Sequence, residues 1–422
     1  MSQLLNIGVD FGTTNSVVSI LHADGTARTV HMPGQEVFRT VLCFWDERGA
    51  LQHAAGPRGL EAYLADPEDT RLIMSMKTYL AQRSFSSTRV RSRTFTLEAL
   101  VALFLRGLMA EQAGSLAGAR ITAGRPVRFA GEMADDAMGE ARLRESFRQA
   151  GLGEVEIAYE PEAAGFRFTR GLTAPATVLI GDFGGGTSDF SLLRFDPGAA
   201  RRVTPLATTG VGVAGDSFDA RIIDRVVAPV LGKDGTYRVM DTDMPIPVEY
   251  YTGLSRWHRL SMMRTPRILR EIGEVMRTAS EPERLRGLIR LIEEELGYQL
   301  CQSVSAVKIA LSQSDRATLR FEHPGLHIEQ EILRTEFEAW IAPDLAALSA
   351  AVDRVLAQAT LPPSAVDQVF LTGGTAFVPA VRRLFETRFG ARRVSGGGEF
   401  VSVAEGLAMI GRERSSLVEE MG

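Results

Sequence analysis

The sequence predicts an α/β protein made of two related halves that face a common site. Three observations carry that class. Residues 5–20, LNIGVDFGTTNSVVSI, and residues 177–193, TVLIGDFGGGTSDFSLL, share one construction: apolar strand, Asp-Phe-Gly, small polar turn, apolar strand. Their aspartates, Asp10 and Asp182, lie 172 residues apart, too far for a solenoid unit and suited to two domains of similar core architecture. Between and after these openings, helix-like and strand-like segments alternate, as an α/β chain requires.

With 422 residues the chain has room for about two to four domains. Its 45% hydrophobic and 23% charged residues, with 41 glycines and 18 prolines, are those of a soluble globular protein. The 47 basic against 52 acidic residues leave a net charge of −5, so nucleic acid is not an expected partner. Cys43 and Cys301 sit in Val-Leu-Cys-Phe and Gln-Leu-Cys-Gln and read as small buried hydrophobes in a reducing compartment. The start, MSQLLNIGVDFG, lacks a basic segment followed by an apolar run. The most apolar helical stretch, residues 97–110, contains Glu98 and Arg106 and is shorter than a membrane span. A soluble, cytoplasmic protein without a membrane partner is expected.

In the first half, residues 1–170, Thr96 caps a helix whose apolar positions Leu97, Leu100, Val101, Phe104, Leu105 and Leu108 recur at three and four, with a break near Gly114. Strand-like ARITAGRPVRF follows, then a helix over about 131–150 that ends at Gly151. GEVEIAYEPEAAG reads as a short strand entering a helix at about Glu162. The second half, residues 171–412, repeats the opening and then carries a long, mostly helical stretch at about 216–312, too long for a crossover and therefore a subdomain. RATLRFEH and LHIEQEIL are strand-like and precede an amphipathic helix from about Arg334 to Ala359. VDQVFLTGGTAFVP is a further strand and turn before a helix through Phe389, and residues 413–422 read as a frayed tail.

The turns carry the chemistry. In GVDFGTTNS, Gly8 and Gly12 allow close backbone approach, while Thr13, Thr14 and Asn15 offer N–H and hydroxyl donors to phosphate oxygens. In DFGGGTSD, Gly184, Gly185 and Gly186 leave a ribbon of unobstructed amides that can wrap a phosphate. Each turn alone also reads as a tight hairpin with glycine in a left-handed conformation; two matched copies favour phosphate. Asp10 and Asp182 end apolar strands, where an unpaired carboxylate is costly. One magnesium facing both, directly or through its waters, and bridging nucleotide phosphates removes that cost; the alternative is that each Asp caps its own turn. LTGGT at 371–375 precedes a helix and can set N–H groups beside a ribose and α-phosphate, and GVGVAGDSFD at 210–219 runs into a helix with Asp216 or Ser217 as its cap.

GVDFGTTNS, EPEAAG, DFGGGTSD, GVGVAGDSFD and LTGGT follow one another in the order found in the nucleotide-binding domain of DnaK-type heat-shock chaperones, so residues 5–411 resemble that domain within the actin, sugar kinase and chaperone superfamily. ITAGRPVRF at 121–129, RLIMSMKTYL at 71–80 and the lack of a peptide-binding domain before Gly422 look like the truncated bacterial YegD-type branch. The resemblance implies an actin-like ATPase fold, two related α/β lobes facing a central nucleotide cleft, with smaller inserted subdomains.

Residue by residue, the resemblance places Asp10, Thr13 and Thr14 in the first phosphate loop and Asp182, Gly184, Gly185, Gly186 and Thr187 in the second. It links Asp189 to bound cations and makes Lys77 the phosphate-contacting lysine, against the alternative of an ordinary surface lysine. Glu160 matches the interdomain glutamate that positions water; Gly212, Gly215 and Asp216 fall near the phosphates, and Gly373, Gly374 and Thr375 against the adenosine. The chain also departs from the pattern. The Glu, Lys and Arg of the adenosine clamp read Ser305, Lys308 and Ile309, and Phe377 replaces an arginine after the third turn, able to stack but without guanidinium donors. Adenine recognition is expected to differ more than phosphate recognition.

The expected chemistry is magnesium-dependent binding of ATP or ADP and slow hydrolysis of ATP by in-line attack of water. Lys77 stabilises the developing charge, Asp182 or Glu160 orients the water, Thr187 supports, and Asp10, Asp182 and Asp189 face the metal. A protein partner or client is expected to read the nucleotide state, and a monomer is compatible with this. The rivals are a nucleotide-dependent binding or scaffold protein with little turnover, a small-molecule kinase, and a filament-forming actin relative.

Overall fold

The structure, a computed structural model, describes residues 5–22, 24–30, 38–66, 69–110, 119–131, 133–169, 172–197, 203–254, 260, 263–396 and 402–421. It contains two compact units, residues 1–214 with 346–422, and residues 215–345.

The first unit holds two sheets of the same topology. One runs, in spatial order, Glu156–Tyr159, Arg120–Arg125, Asn6–Phe11, Asn15–Leu21 and Ala27–Thr29, with Phe38–Arg39 also pairing with Asn15–Leu21. The other runs Val394–Gly396, Gln368–Thr372, Ala176–Phe183, Ser188–Phe195 and Val203–Val211. In each, the strand that ends in Asp-Phe forms an antiparallel hairpin with the next strand on one side and pairs in parallel on the other. The internal repeat in the sequence is thus a repeat of strand order and direction.

These segments form strands because β-branched and aromatic residues dominate them and find burial. Ile7, Val9 and Phe11 are fully buried against a helix, Leu97–Met109, whose Leu100, Phe104 and Leu105 are also buried. Thr96 caps that helix as expected, its hydroxyl accepting from the Ala99 N–H at 3.2 Å; Gly114 lies outside the described residues. In the second sheet Val178, Ile180 and Leu193 pack on Ala163 and Ala164 of helix Glu160–Thr169 and on Val403 and Leu407 of helix Ser402–Met421. The latter helix also packs on strand Asn6–Phe11, where a side chain on Gly8 would overlap the Ala404 carbonyl. Small residues at this contact let one helix lie against both the first sheet and helix Glu160–Thr169.

Several element boundaries differ from expectation. The helix expected from about 131 spans Asp136–Gln149, with Asp135 accepting from the Met138 N–H at 3.0 Å. The helix expected at about Glu162 begins at Glu160. Helix Gly215–Ile222 starts at Gly215, so Asp216 and Ser217 lie in its first turn and neither caps it. The helix expected over 334–359 is two, Arg334–Trp340 and Ala342–Gln358; Pro343 lacks the N–H that a continuous helix needs and belongs in a first turn. Residues 413–421, expected as a frayed tail, continue a helix in their backbone.

The second unit extends beyond the expected helical stretch, to Leu345. Besides helices Pro266–Arg277, Pro282–Glu293 and Gly297–Gln313 it includes the hairpin Arg316–His323 with Leu326–Leu333, whose Leu319, Phe321, Ile328 and Ile332 are buried. Among the described residues no helix is long and apolar enough to cross a membrane. Cys43 is buried and Cys301 half-buried, and burial pushes the Cys43 thiol up to about 11.

Candidate functional site

Asp10 and Asp182 each stand one residue before the end of the matching strand in the two sheets. Asp10 lies opposite Val17 in its hairpin, and Asp182 opposite Asp189 in the other. The fold brings these carboxylates into one electrostatic cluster with Lys77 and Glu160. Burial, then Glu160 and Asp182, push the Asp10 carboxyl up to about 8, against the pull of Lys77. Burial, then Glu160 and Asp189, raise Asp182 to about 7, again opposed by Lys77. Burial and Glu160 raise Asp189 to about 8, with Lys77, the Thr187 hydroxyl and the nearby Arg128 backbone amide working the other way.

Lys77 is no surface lysine: it and Glu160 are each 7% exposed, and its ammonium donates to Glu160 Oε1 at 2.5 Å. Burial alone would pull the Lys77 pKa down, yet Glu160, Asp10 and Asp189 hold it above its ordinary value. Local structure aims both groups. Lys77 lies in the short helix Met76–Tyr79, entered through Ser75 in a left-handed conformation. Glu160 begins helix Glu160–Thr169, where the helix dipole favours a negative charge.

The first turn is tied down from outside: Thr40 N–H donates to the Thr14 carbonyl at 2.9 Å, and the Ser16 and Thr40 hydroxyls are 2.8 Å apart. A side chain on Gly12 would overlap the Asn15 carbonyl, Thr13 and Thr14 are half-buried, and the buried Asn15 Oδ1 has no hydrogen-bond partner. In the second turn the Gly184 N–H donates to the Thr187 carbonyl at 2.9 Å, and the Thr187 hydroxyl donates to Asp189 Oδ2 at 3.4 Å. Gly184 is exposed, and Gly185 and Gly186 are half-buried. Gly12, Gly184 and Gly186 do not take the left-handed conformation, so an ordinary left-handed hairpin does not account for them. The third turn differs. Gly373 has φ 87°, and a side chain there would overlap the carbonyl of Phe183, next to Asp182. The short helix Gly374–Phe377 follows, with Gly374 exposed, Thr375 buried and Phe377 59% exposed.

Gly212 is exposed just beyond strand Val203–Val211. Gly215, Asp216 and Lys308 belong to the second unit. There the Lys308 ammonium pairs with Asp219 Oδ1 at 2.9 Å and donates to the Gly215 carbonyl at 3.1 Å. Burial, opposed by Lys308, raises Asp219 to about 6. Ser305 is half-buried and Ile309 58% exposed.

Among the described residues no three His, Cys, Asp or Glu side chains form a cage for a metal ion. Magnesium does not need one, since it keeps several waters and is commonly held by one or two carboxylates with nucleotide phosphates. Asp10 and Asp182 fit that role, their repulsion being what a cation would relieve, and Asp189 Oδ1 is buried without a hydrogen-bond partner.

Two arginines of ITAGRPVRF escaped the sequence reading of the site. Arg125 is 7% exposed. It donates to the Pro126 carbonyl at 3.0 Å, the Val127 carbonyl at 3.3 Å and Glu140 Oε2 at 2.9 Å. Its guanidinium also lies 5.0 Å from the Phe129 ring centre and 5.3 Å from that of Tyr159. Arg128 stands beside Asp189: Arg128 Cβ and Asp189 Oδ1 lie 3.3 and 2.7 Å from where a side chain on Gly210 would begin. The only signal was Arg-Pro closing an apolar strand, which marks a turn without naming its partner.

Comparison with known proteins gives the chain a family. Residues 87–241 and 290–417 match the family model described as Hsp70 protein. The chain is 27% identical over 393 residues to Chaperone protein DnaK of Thermotoga petrophila, covering 91% of this chain and 55% of the relative. It is 25% identical over 405 residues to Chaperone protein DnaK of Thermus thermophilus, covering 91% and 57%. The chain thus spans little more than half the length of these relatives. Two sheets of one topology, with an aspartate at the same place in each, and a family match across both halves make this chain a member of the Hsp70 protein family, with its actin-like ATPase fold.

Proposed function

We propose that the chain binds ATP and ADP with magnesium and hydrolyses ATP slowly, as a chaperone-type ATPase acting in the cytoplasm. The observation that carries this reading is the cluster in which Asp10 and Asp182, near the ends of two topologically equivalent strands, meet Asp189, Glu160 and Lys77. When bound, magnesium would supply charge neutralisation at the β- and γ-phosphates. Gly12 to Asn15 and Gly184 to Thr187 hold the phosphate tail through backbone N–H and hydroxyl donors. Lys77 faces the phosphoryl group in transit, and its fixed position avoids reorganisation as charge develops. Asp182 orients the attacking water and takes up its proton, with Glu160 setting the local field.

Gly212, Gly215 and Asp216 serve the phosphates in this reading, and Gly373, Gly374, Thr375, Lys308 and Phe377 serve the adenosine. A protein partner or client reads the nucleotide state. The test is titration of the purified chain with ATP and ADP, with and without magnesium, followed by phosphate release. Magnesium-dependent binding with slow release is expected; absence of binding to either nucleotide, or transfer of phosphate to a sugar, overturns the reading.

A second reading is a nucleotide-dependent binding protein with little turnover. The altered adenosine side favours it: Lys308 is already held by Asp219 and Gly215, and Ile309 and Phe377 are exposed. Tight binding that leaves ATP intact selects it.

A further inference from the structure

We infer that Arg128 contacts the terminal phosphate of the bound nucleotide and stabilises the charge that develops there during transfer. The inference rests on the nucleotide reading above and adds a residue that none of the phosphate motifs contains.

The Arg128 backbone lies beside the carboxylate cluster. Its Cβ lies 3.3 Å, and its backbone nitrogen 3.7 Å, from where a side chain on Gly210 would begin. That same position on Gly210 is 2.7 Å from Asp189 Oδ1, so glycine is what allows Asp189 and Arg128 to approach strand Val203–Val211 together. The guanidinium behaves differently from the backbone. Arg128 is exposed, and its side chain makes no ion pair or hydrogen bond among the described residues. An arginine beside a group of carboxylates normally closes a bidentate pair with one of them. Here no such pair forms among the described residues, and the guanidinium is left for an anion arriving from outside.

The turn that carries Arg128 is braced. Arg125 binds the carbonyls of Pro126 and Val127 at 3.0 and 3.3 Å and is itself held by Glu140 at 2.9 Å. The Phe129 and Tyr159 rings lie 5.0 and 5.3 Å from its guanidinium carbon. Arg125 thus fixes the two residues immediately before Arg128 and touches the residue immediately before Glu160. A cation on a braced turn costs little to organise when charge appears. The cluster also needs one: Lys77 is the cation that Asp10, Asp182 and Asp189 share, and it is tied to Glu160. A planar guanidinium, presenting two parallel donors, suits two oxygens of one phosphoryl group.

The experiment compares wild type, Arg128→Ala and Arg128→Lys for ATP and ADP affinity and for single-turnover hydrolysis with magnesium. Arg128→Ala should slow hydrolysis by about 100-fold, lower ATP affinity more than ADP affinity, and leave the melting temperature unchanged. Arg128→Lys should recover part of the rate, and added guanidinium at millimolar concentration should restore part of it to Arg128→Ala, which a merely structural residue would not allow. If wild type hydrolyses ATP and Arg128→Ala keeps the same rate and the same ATP-to-ADP preference, the inference fails and the ATPase reading stands. If wild type binds ATP without turnover, the ATPase reading fails, and loss of the ATP-over-ADP preference in Arg128→Ala still supports the contact while its retention overturns it. If neither nucleotide binds wild type, both fail.

Discussion

Lys77 Nζ and Glu160 Oε1, 83 residues apart in the chain, meet at 2.5 Å between two side chains that are almost fully buried. Removing one partner leaves the other uncompensated, but the two losses are not equivalent. Without Lys77, Glu160 faces Asp10, Asp182 and Asp189 with no cation; without Glu160, Lys77 still has Asp10 and Asp189. Lys77→Met is therefore expected to destabilise by about 3–5 kcal/mol, Glu160→Gln by clearly less, and the double variant by less than the sum. Urea unfolding of the three variants measures this, and equal single costs would contradict the asymmetry.

Asp182→Asn separates chemistry from binding. It keeps the size of the side chain and an acceptor oxygen but loses the carboxylate that, in the proposed reaction, would orient water and take its proton. Phosphate release should fall by about 100-fold, while magnesium-dependent ATP binding stays measurable. Turnover equal to wild type would remove Asp182 from the reaction.

Much of this site was legible because two short strings repeat. Asp10 and Asp182 could be paired from sequence, since identical offsets in identical strand–turn–strand units imply equivalent places in two sheets. Lys77 and Glu160 could be nominated only one at a time, because no periodicity links residues 83 apart. The break at Ile341 was hidden by an apolar pattern that runs through it, although Pro343 marked it. The second unit reaches Leu345 because the hairpin Arg316–His323 with Leu326–Leu333 packs into it, a choice of partner that local sequence does not encode.

The buried aspartates make stability depend on pH in the direction opposite to most carboxylates. Burial and Glu160 push the Asp189 carboxyl from its ordinary 3.8 up to about 8 in the folded chain. Over that window the native chain holds a proton that the unfolded chain releases, so stability falls as pH rises from about 4 to about 8. Asn at this position carries no such cost. Asp189→Asn should melt higher than wild type in the absence of nucleotide and metal, by a margin that is negligible near pH 4 and widens up to about pH 8. Thermal melts across that range test it; a constant or shrinking margin sinks the assignment.

Gly373 and Gly390 form a natural control pair, with φ of 87° and 89°. Alanine pays a similar backbone strain at both, about 1–3 kcal/mol, because each combines a positive φ with an extended ψ, 160° at Gly373 and 134° at Gly390. Only at Gly373 would its methyl also overlap a carbonyl, that of Phe183, whereas nothing lies within 4 Å at Gly390. Gly373→Ala should therefore cost more stability than Gly390→Ala and alone should weaken ATP binding. Equal stability losses with unchanged ATP affinity would detach the third turn from the site.

Phe377 tests how the base is held. Thr375 and Ala376, its neighbours in the short helix, are buried, whereas Phe377 is 59% exposed. An aromatic ring left in water contributes little to folding, so Phe377→Ala should change stability by no more than about 0.5 kcal/mol. A ring stacked on a base contributes about 1–3 kcal/mol, so the same variant should bind ATP at least several-fold more weakly. Inorganic tripolyphosphate has no base to stack and should bind both proteins alike. Calorimetric titration of wild type and variant with the two ligands separates the possibilities: parallel losses would mean that Phe377 supports the phosphate turns, and no loss for either would mean that the base is held without it.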